Sequence, residues 1–238
     1  MIIERGWPVD FDEEQILRSE GESLTRALAR PSGRDAWRGA LGDARGLAHG
    51  AAAWDFFPIA EIRHGTVVLQ SGARLGGGPL AAVVAGATDL AIAVCTIGPE
   101  LSARAQEHQR GHDMLRSLLL DMLGTWAVDK VRQEVCCRLE DDAAASGLRV
   151  STSLSPGESE WSIHEQSVLF SLLDASPIGV TLSASLIMTP LKSLSLVAGR
   201  GSGPLGAEGE SHCDYCTVKD RCAYRGRRAS HDGKGRQE

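Results

Sequence analysis

No stretch of the 238-residue sequence is apolar for long enough to cross a membrane. The longest such run, Leu90 to Ile97, falls far short of the roughly 20 residues that a spanning helix needs. The opening MIIERGWPVDFDEEQ lacks the basic start and apolar core of a secretion signal, so a cytoplasmic location is expected. The glycine-rich stretch Gly72 to Pro79 lacks the Gly-Lys-Ser/Thr ending of a phosphate loop and reads as a turn. There is no nucleophile elbow and no Ser–His–Asp order, so hydrolase chemistry has no support. Hydrophobic residues at 42% and charged residues at 24% fit an ordinary globular protein and exclude a wholly disordered or fibrous chain.

The net charge is −6, unevenly placed. Residues 219–238 hold seven Lys or Arg against three Asp or Glu, so the rest of the chain is more acidic than the whole. An acidic body argues against a general nucleic-acid binder.

Periodicity gives the elements. Residues 12–30 and 34–52 read as helices, the second weakened by Gly39, Gly42 and Gly46. Trp54 to Ile62 and Thr66 to Gln70, parted by His64-Gly65, read as a hairpin. Leu80 to Gly86 reads as a short helix, and Leu90 to Ile97 as a strand buried on both faces. Pro99 and Glu100 suit a helix start. A long helix is expected from about His112 to Ala145, with Met114, Leu115, Leu118, Met122, Trp126, Val131, Val135 and Leu139 as its apolar stripe. A strand at Leu148 to Thr152 and a turn at Ser155-Pro156-Gly157 follow. Ser162 to Glu165 has the form of a capping box, opening a helix to about Leu173. Ile178 to Leu182 and Leu194 to Ala198 read as strands. The expected organisation is a helical region 1–53, an α/β domain 54–199, a linker 200–211 and a cysteine-rich tail 212–238.

Of the six cysteines, Cys213, Cys216 and Cys222 crowd into ten residues. Thiolates two residues apart grip one metal from a single turn, and the third returns after about one more turn. Three thiolates suit an iron–sulfur cluster, of the four-iron type, with one iron open or otherwise ligated. They also suit zinc, with His212 or His231 as fourth ligand. Lys219, Arg221 and Arg225 nearby would favour thiolate over thiol.

Other polar residues have plainer readings. His108 and His112 share a helical face without a third ligand, and His164 reads as an exposed first-turn histidine. Glu158 and Glu160 form a paired carboxylate only if burial raises one pKa. At least one of Cys136 and Cys137 is expected in the core as a small apolar residue. Lys192 would end a strand in water or meet an anion.

The segment DLAIAVCTIGPEL at 89–101, the long helix after it, Ser155-Pro156-Gly157, Trp161, Gln166, Leu169-Phe170 and IGVTLSASLIMTPLKSLSLVAG at 178–199 together resemble the reactivation (activation) domain of cobalamin-dependent methionine synthase and the free-standing proteins related to it. The likeness covers most of residues 10–200. It implies an α+β mixed fold with a twisted, largely antiparallel sheet flanked by helices. It also implies docking on a corrinoid-binding protein or methyltransferase, and S-adenosylmethionine as methyl donor for cobalamin reactivation. The chain has no Asp-x-His-x-x-Gly motif, so cobalamin would come only with a partner.

The family's S-adenosylmethionine loop reads Arg-x-x-x-Gly-Tyr. Here Ser153 stands for the arginine, Glu158 for the tyrosine, and Gly157 is kept. Serine cannot supply the fixed fork of donors that a carboxylate meets in arginine, and Glu158 would meet that carboxylate with like charge. Binding of S-adenosylmethionine in the family manner is therefore not expected. The leading expectation is a redox activator of a vitamin B12 methyl-transfer system, whose cluster on Cys213, Cys216 and Cys222 passes an electron to cobalt. The alternatives are a zinc-ordered scaffold without redox chemistry and a methyl donor with a rearranged loop.

Overall fold

The structure is a computed structural model and describes residues 1–158, 160–206 and 220. Strand β1 (Ile2–Pro8) leads into helices α1 (Glu13–Glu20), α2 (Glu22–Leu28) and α3 (Pro31–Leu47). Strands β2 (His49–Arg63), β3 (Thr66–Leu69) and β4 (Arg74–Gly76), helix α4 (Leu80–Val83) and strand β5 (Asp89–Thr96) follow. Then come α5 (Glu100–Arg110), α6 (Met114–Ala145), β6 (Arg149–Val150), α7 (Glu165–Leu172), β7 (Thr181–Leu182), β8 (Met188–Thr189) and β9 (Ser193–Gly201).

Seven strands form one sheet in the order β4-β3-β2-β5-β9-β6, with β1 also on β2. Every pairing in it is antiparallel. The long β2 pairs with β1 through its first half and with β3 through its second, and a register shift between Ile59 and Glu61 interrupts the pairing with β3. The fold is therefore α+β, built on a curled antiparallel sheet, as the resemblance implied.

Side-chain alternation along the central strands divides the interior into two layers. Ala52, Ala91, Ala93 and Cys95 face α3 and α6, in a cluster that also holds Ala36, Ala40, Ala44, Leu120, Leu123, Val135 and Leu139. Small side chains on both the sheet and α3 let the helix backbones come close. Leu90, Ile92 and Val94 face the other way, with Leu75, Leu80, Leu154, Trp161, Leu169 and Val197. Seven of the eight β5 residues are buried, which explains the unbroken apolar run.

The expected boundary at residue 53 falls inside β2, and residues 1–53 supply β1 as well as three helices. β1 was missed because its residues, IIERGWP, do not alternate cleanly. Residues 12–30 form two helices parted at Gly21. Two of the α3 glycines sit in close quarters: a side chain at Gly39 would meet the Arg116 guanidinium at 3.3 Å, and one at Gly33 would strike the Ala27 carbonyl, whereas Gly42 and Gly46 face open space.

The long helix starts at Met114, after a break at Gly111 to Asp113. His112 there has φ 62°, and Asp113 caps α6 by accepting from the Arg116 N–H at 3.2 Å. Of the expected apolar stripe, Val131, Val135 and Leu139 are buried, Met122 and Trp126 partly so, and Met114, Leu115 and Leu118 exposed. Ile178 to Leu182 is a 3-10 turn (Ser176–Ile178) followed by the two-residue β7 rather than a full strand. Residues 200–201 belong to β9 and Leu205 is buried, so the part of the expected linker that is described packs onto the body.

Candidate functional site

The segment from Ser153 to Glu158 connects β6 to the approach of α7 and lies along the far edge of the sheet. It is held from both layers. Leu154 exchanges two backbone hydrogen bonds with Val197, at 2.9 and 2.8 Å, and its side chain enters the second cluster. In an extended stretch the residues on either side then point the opposite way, toward α6. Ser153 meets Arg132 there. The Arg132 Nη2 donates to Ser153 Oγ at 2.9 Å and to the Ser153 carbonyl at 3.4 Å. The Cys136 thiol, one turn along α6, lies 3.6 Å from the same Oγ.

Arg132 is only 6% exposed. Burial alone would pull its pKa down. The opposing influence of Glu158, then of Cys136, Asp129 and Cys95, outweighs burial, and the net shift is upward. The guanidinium is thus a firmly charged group inside the protein, with Glu158 as the strongest influence favouring that charge. Its Nε is buried without a hydrogen-bond partner, as is the Oγ of Ser155.

Arg132 was missed by sequence reasoning. The signal was present: it falls four residues after Val128 and three before Val135, on the buried stripe of α6. A charge on such a stripe is held by a partner or is aimed at something.

Beyond the loop, Gly157 has φ 92° and Ile163 lies 3.1 Å from where a side chain would begin. Trp161 is buried and donates Nε1 to the Gly76 carbonyl at 3.2 Å. The Glu165 carboxylate accepts from the Gly76 N–H at 3.1 Å. The expected capping box therefore does not close: Ser162 Oγ accepts from the His164 N–H at 3.3 Å, while Glu165 stitches the glycine-rich turn after β4 to α7.

The remaining candidates are structural. Lys192 is tied to Asp121 at 2.8 Å and to Thr125 Oγ1 at 2.9 Å, with its stem over Gly124. Its ammonium is therefore tied to α6 rather than left in open water. His108 lies between Asp43 at 3.6 Å and Asp113 at 3.7 Å. His164 and Glu160 are exposed. Cys95 is fully buried, Cys136 half-buried and Cys137 exposed, and none of the three is in a disulfide. A groove of about 460 Å³ lies between the end of β1 and α6, lined by Trp7, Lys130, Glu134, Cys137 and Arg138. By helical spacing this is the face of α6 opposite Arg132.

Among the described residues no three His, Cys, Asp or Glu side chains gather to hold a metal. Cys213, Cys216 and Cys222, expected to hold one, lie outside the described residues. Among the described residues no helix is long and apolar enough to cross a membrane.

Architecture and site together define an α+β protein in which a clamped loop at the sheet edge sits over a buried cation. Among solved structures, the chain is similar to a crystal structure of the MetH reactivation domain bound to AdoHcy, with a TM-score of 0.58 and 14% identity. The likeness covers 95% of this chain and 86% of that one. No family model matches the sequence, and no curated protein does. The fold relationship to the reactivation domain is thus established by shape.

Proposed function

We propose that this chain is an accessory protein of a corrinoid methyl-transfer system, with a role related to methionine synthase reactivation. It would dock on a corrinoid-bearing partner, as the resemblance implies, and support reduction of its cobalt. One observation carries the reading: a fold shared with the MetH reactivation domain over 95% of the chain. The sequence adds the reductive element. Cys213, Cys216 and Cys222 would bind an iron–sulfur cluster. The cluster, charged by an external one-electron reductant, would pass one electron to cob(II)alamin and give cob(I)alamin.

AdoHcy, the ligand of the structural neighbour, carries an amino-acid head with one carboxylate and one ammonium group. The loop has no arginine at Ser153 to meet such a carboxylate. Any cation that does so in this chain must come from outside the loop.

The test is anaerobic purification of the full chain, followed by iron and sulfide analysis. The rate of cob(II)alamin reduction with dithionite is then compared with that of a Cys213→Ser, Cys216→Ser, Cys222→Ser variant. Iron and sulfide in comparable amounts, and a rate lost in the variant, are expected. Colourless protein carrying zinc would replace the redox role with a scaffold. Failure to capture a corrinoid protein would remove the docking role.

A further inference from the structure

The first turns of α6 carry large apolar residues on two opposite faces. Leu119, Leu120, Leu123 and Gly124 are buried against the body. Met114, Leu115 and Leu118 are exposed on the other side, Leu118 at 64%. Leu115, Leu118 and Met122 follow one another at i, i+3 and i+7, the spacing on which a second helix packs. At about 100° per residue, this row lies opposite the buried one. A helix that needs one covered stripe is amphipathic; one with a second apolar stripe has a second face to cover. Leu191, 65% exposed, widens the row. Lys192 beside it lays its stem over Gly124 and ties its ammonium to Asp121 and Thr125. The charges around the row are paired among themselves, Arg116 with Asp113 at 3.5 Å and Lys192 with Asp121 at 2.8 Å, so they cancel.

We propose that this face joins two copies of the chain in a two-fold dimer through the start of α6. A two-fold interface sets one patch on itself. With the two α6 helices antiparallel and the axis beside Leu118, Leu118 meets Leu118 of the second copy, Leu115 meets Met122, and Met114 meets Leu191. Aliphatic side chains then meet aliphatic ones along the whole row. Charge singles out the same place. The chain carries −6, so two copies repel in general, and a patch whose charges cancel is where that repulsion is least. The chain's own C-terminal segment is a poor occupant by composition. Residues 207–238 contain no Leu, Ile, Met, Phe or Trp, so they hold nothing to fill an aliphatic row. Four large side chains about half exposed supply apolar surface on the order of a few hundred Å². A standard tight interface buries about 800 Å² on each partner, so the dimer is a reversible one. The inference rests neither on the cluster nor on docking to a corrinoid protein.

The experiment is sedimentation equilibrium of the full chain in reductant, from about 1 μM to about 200 μM. Wild-type protein is expected to pass from monomer to dimer across that range. Leu118→Glu should weaken the dimer roughly tenfold or more, because it sets two carboxylates face to face at the axis. Leu191→Glu, away from the axis, should weaken it a few-fold. Both positions are exposed, so the circular dichroism and melting temperature of the dilute variants should match the wild type. The second variant keeps the test valid if the first folds poorly. A dimer that neither variant weakens lies elsewhere and overturns the face. Wild-type protein that stays monomeric throughout overturns the dimer. In that case a melting temperature lowered by Leu118→Glu assigns the face to residues 207–238, and corrinoid-protein capture lost in the same variant assigns it to that partner.

Discussion

Ser153→Ala and Ser155→Ala make one chemical change at two buried positions two residues apart, and the structure gives them opposite consequences. Ser153 Oγ accepts from Arg132 Nη2 at 2.9 Å and lies 3.6 Å from the Cys136 thiol. Its loss leaves a buried guanidinium holding only the longer 3.4 Å bond to the Ser153 carbonyl. A hydrogen bond to a charged group contributes about 1.5–3 kcal/mol, and the stranded donor adds its own desolvation cost. Ser155 Oγ is buried with no partner, so alanine there removes a hydroxyl whose burial already costs about 1–3 kcal/mol on mutational scales.

The expected outcome, without ligand, is that Ser153→Ala loses about 2 kcal/mol while Ser155→Ala is neutral or more stable. In urea, with a slope near 2 kcal/mol per molar, the first shifts the unfolding midpoint down by about 1 M with the slope unchanged. A double-mutant cycle of Ser153→Ala with Arg132→Met isolates the pair and should return most of that loss as coupling. If Ser155→Ala costs as much as Ser153→Ala, the assignment of bonded and unbonded oxygens is wrong, and so is the placement of Arg132 beneath the loop.

Further outcomes follow from particular contacts. Gly157→Ala forces a side chain into φ 92° and to within 3.1 Å of Ile163. It should cost about 1–2 kcal/mol, read as a lower thermal midpoint. Leu139→Ala empties a fully buried site between α6 and the sheet and should cost about 2–5 kcal/mol by urea unfolding. The Cys95 thiol is pushed up to about 12, chiefly by burial. Its folded pKa thus lies above its unfolded one, so stability holds below about pH 9 and falls as pH rises toward 12. The limiting slope is about 1.4 kcal/mol per pH unit, and Cys95→Ala should flatten that part of the profile. A thiol reagent at pH 8 should label native Cys137 and spare Cys95 until the chain is unfolded; fast labelling of Cys95 would contradict its burial.

The parts of the fold legible in the sequence are those where a single periodicity acts alone. β5 was read correctly because both of its faces are covered, so every residue had to be apolar. The β2–β3 hairpin was marked by His64-Gly65, where both residues take positive φ. The burial of the first turns of α6 was misjudged because Met114, Leu115 and Leu118 continue the helical spacing yet are exposed. Periodicity records which residues share a face but not whether that face is buried. The capping box was misread for a related reason. Glu165 had a better acceptor role across 89 residues of sequence, at the Gly76 N–H, and local spacing holds no information about a partner so distant.

The site was legible only in its backbone half. Gly157 was identified because it keeps the glycine of the loop that the resemblance points to, and the loss of arginine at Ser153 was read as a loss of the carboxylate's donor from the site. The fold makes that step unsafe. The loop is pinned on one side by Leu154 in the sheet layer and on the other by Arg132 in the helix layer. A cation needed above that seam can be anchored on either element, and its charge at the loop is nearly the same whichever backbone carries it. A helix-borne guanidinium also has an advantage that a loop-borne one lacks: α6 is 32 residues long and buried along one face, so its side chains lose less freedom on binding than those of a six-residue connection. The exchange variant Arg132→Ser with Ser153→Arg tests this reasoning directly. If position in space matters and position in sequence does not, the exchange should recover part of the stability that Arg132→Ser alone loses. If it recovers none, the guanidinium must act from α6 itself, and the loop is no more than its support.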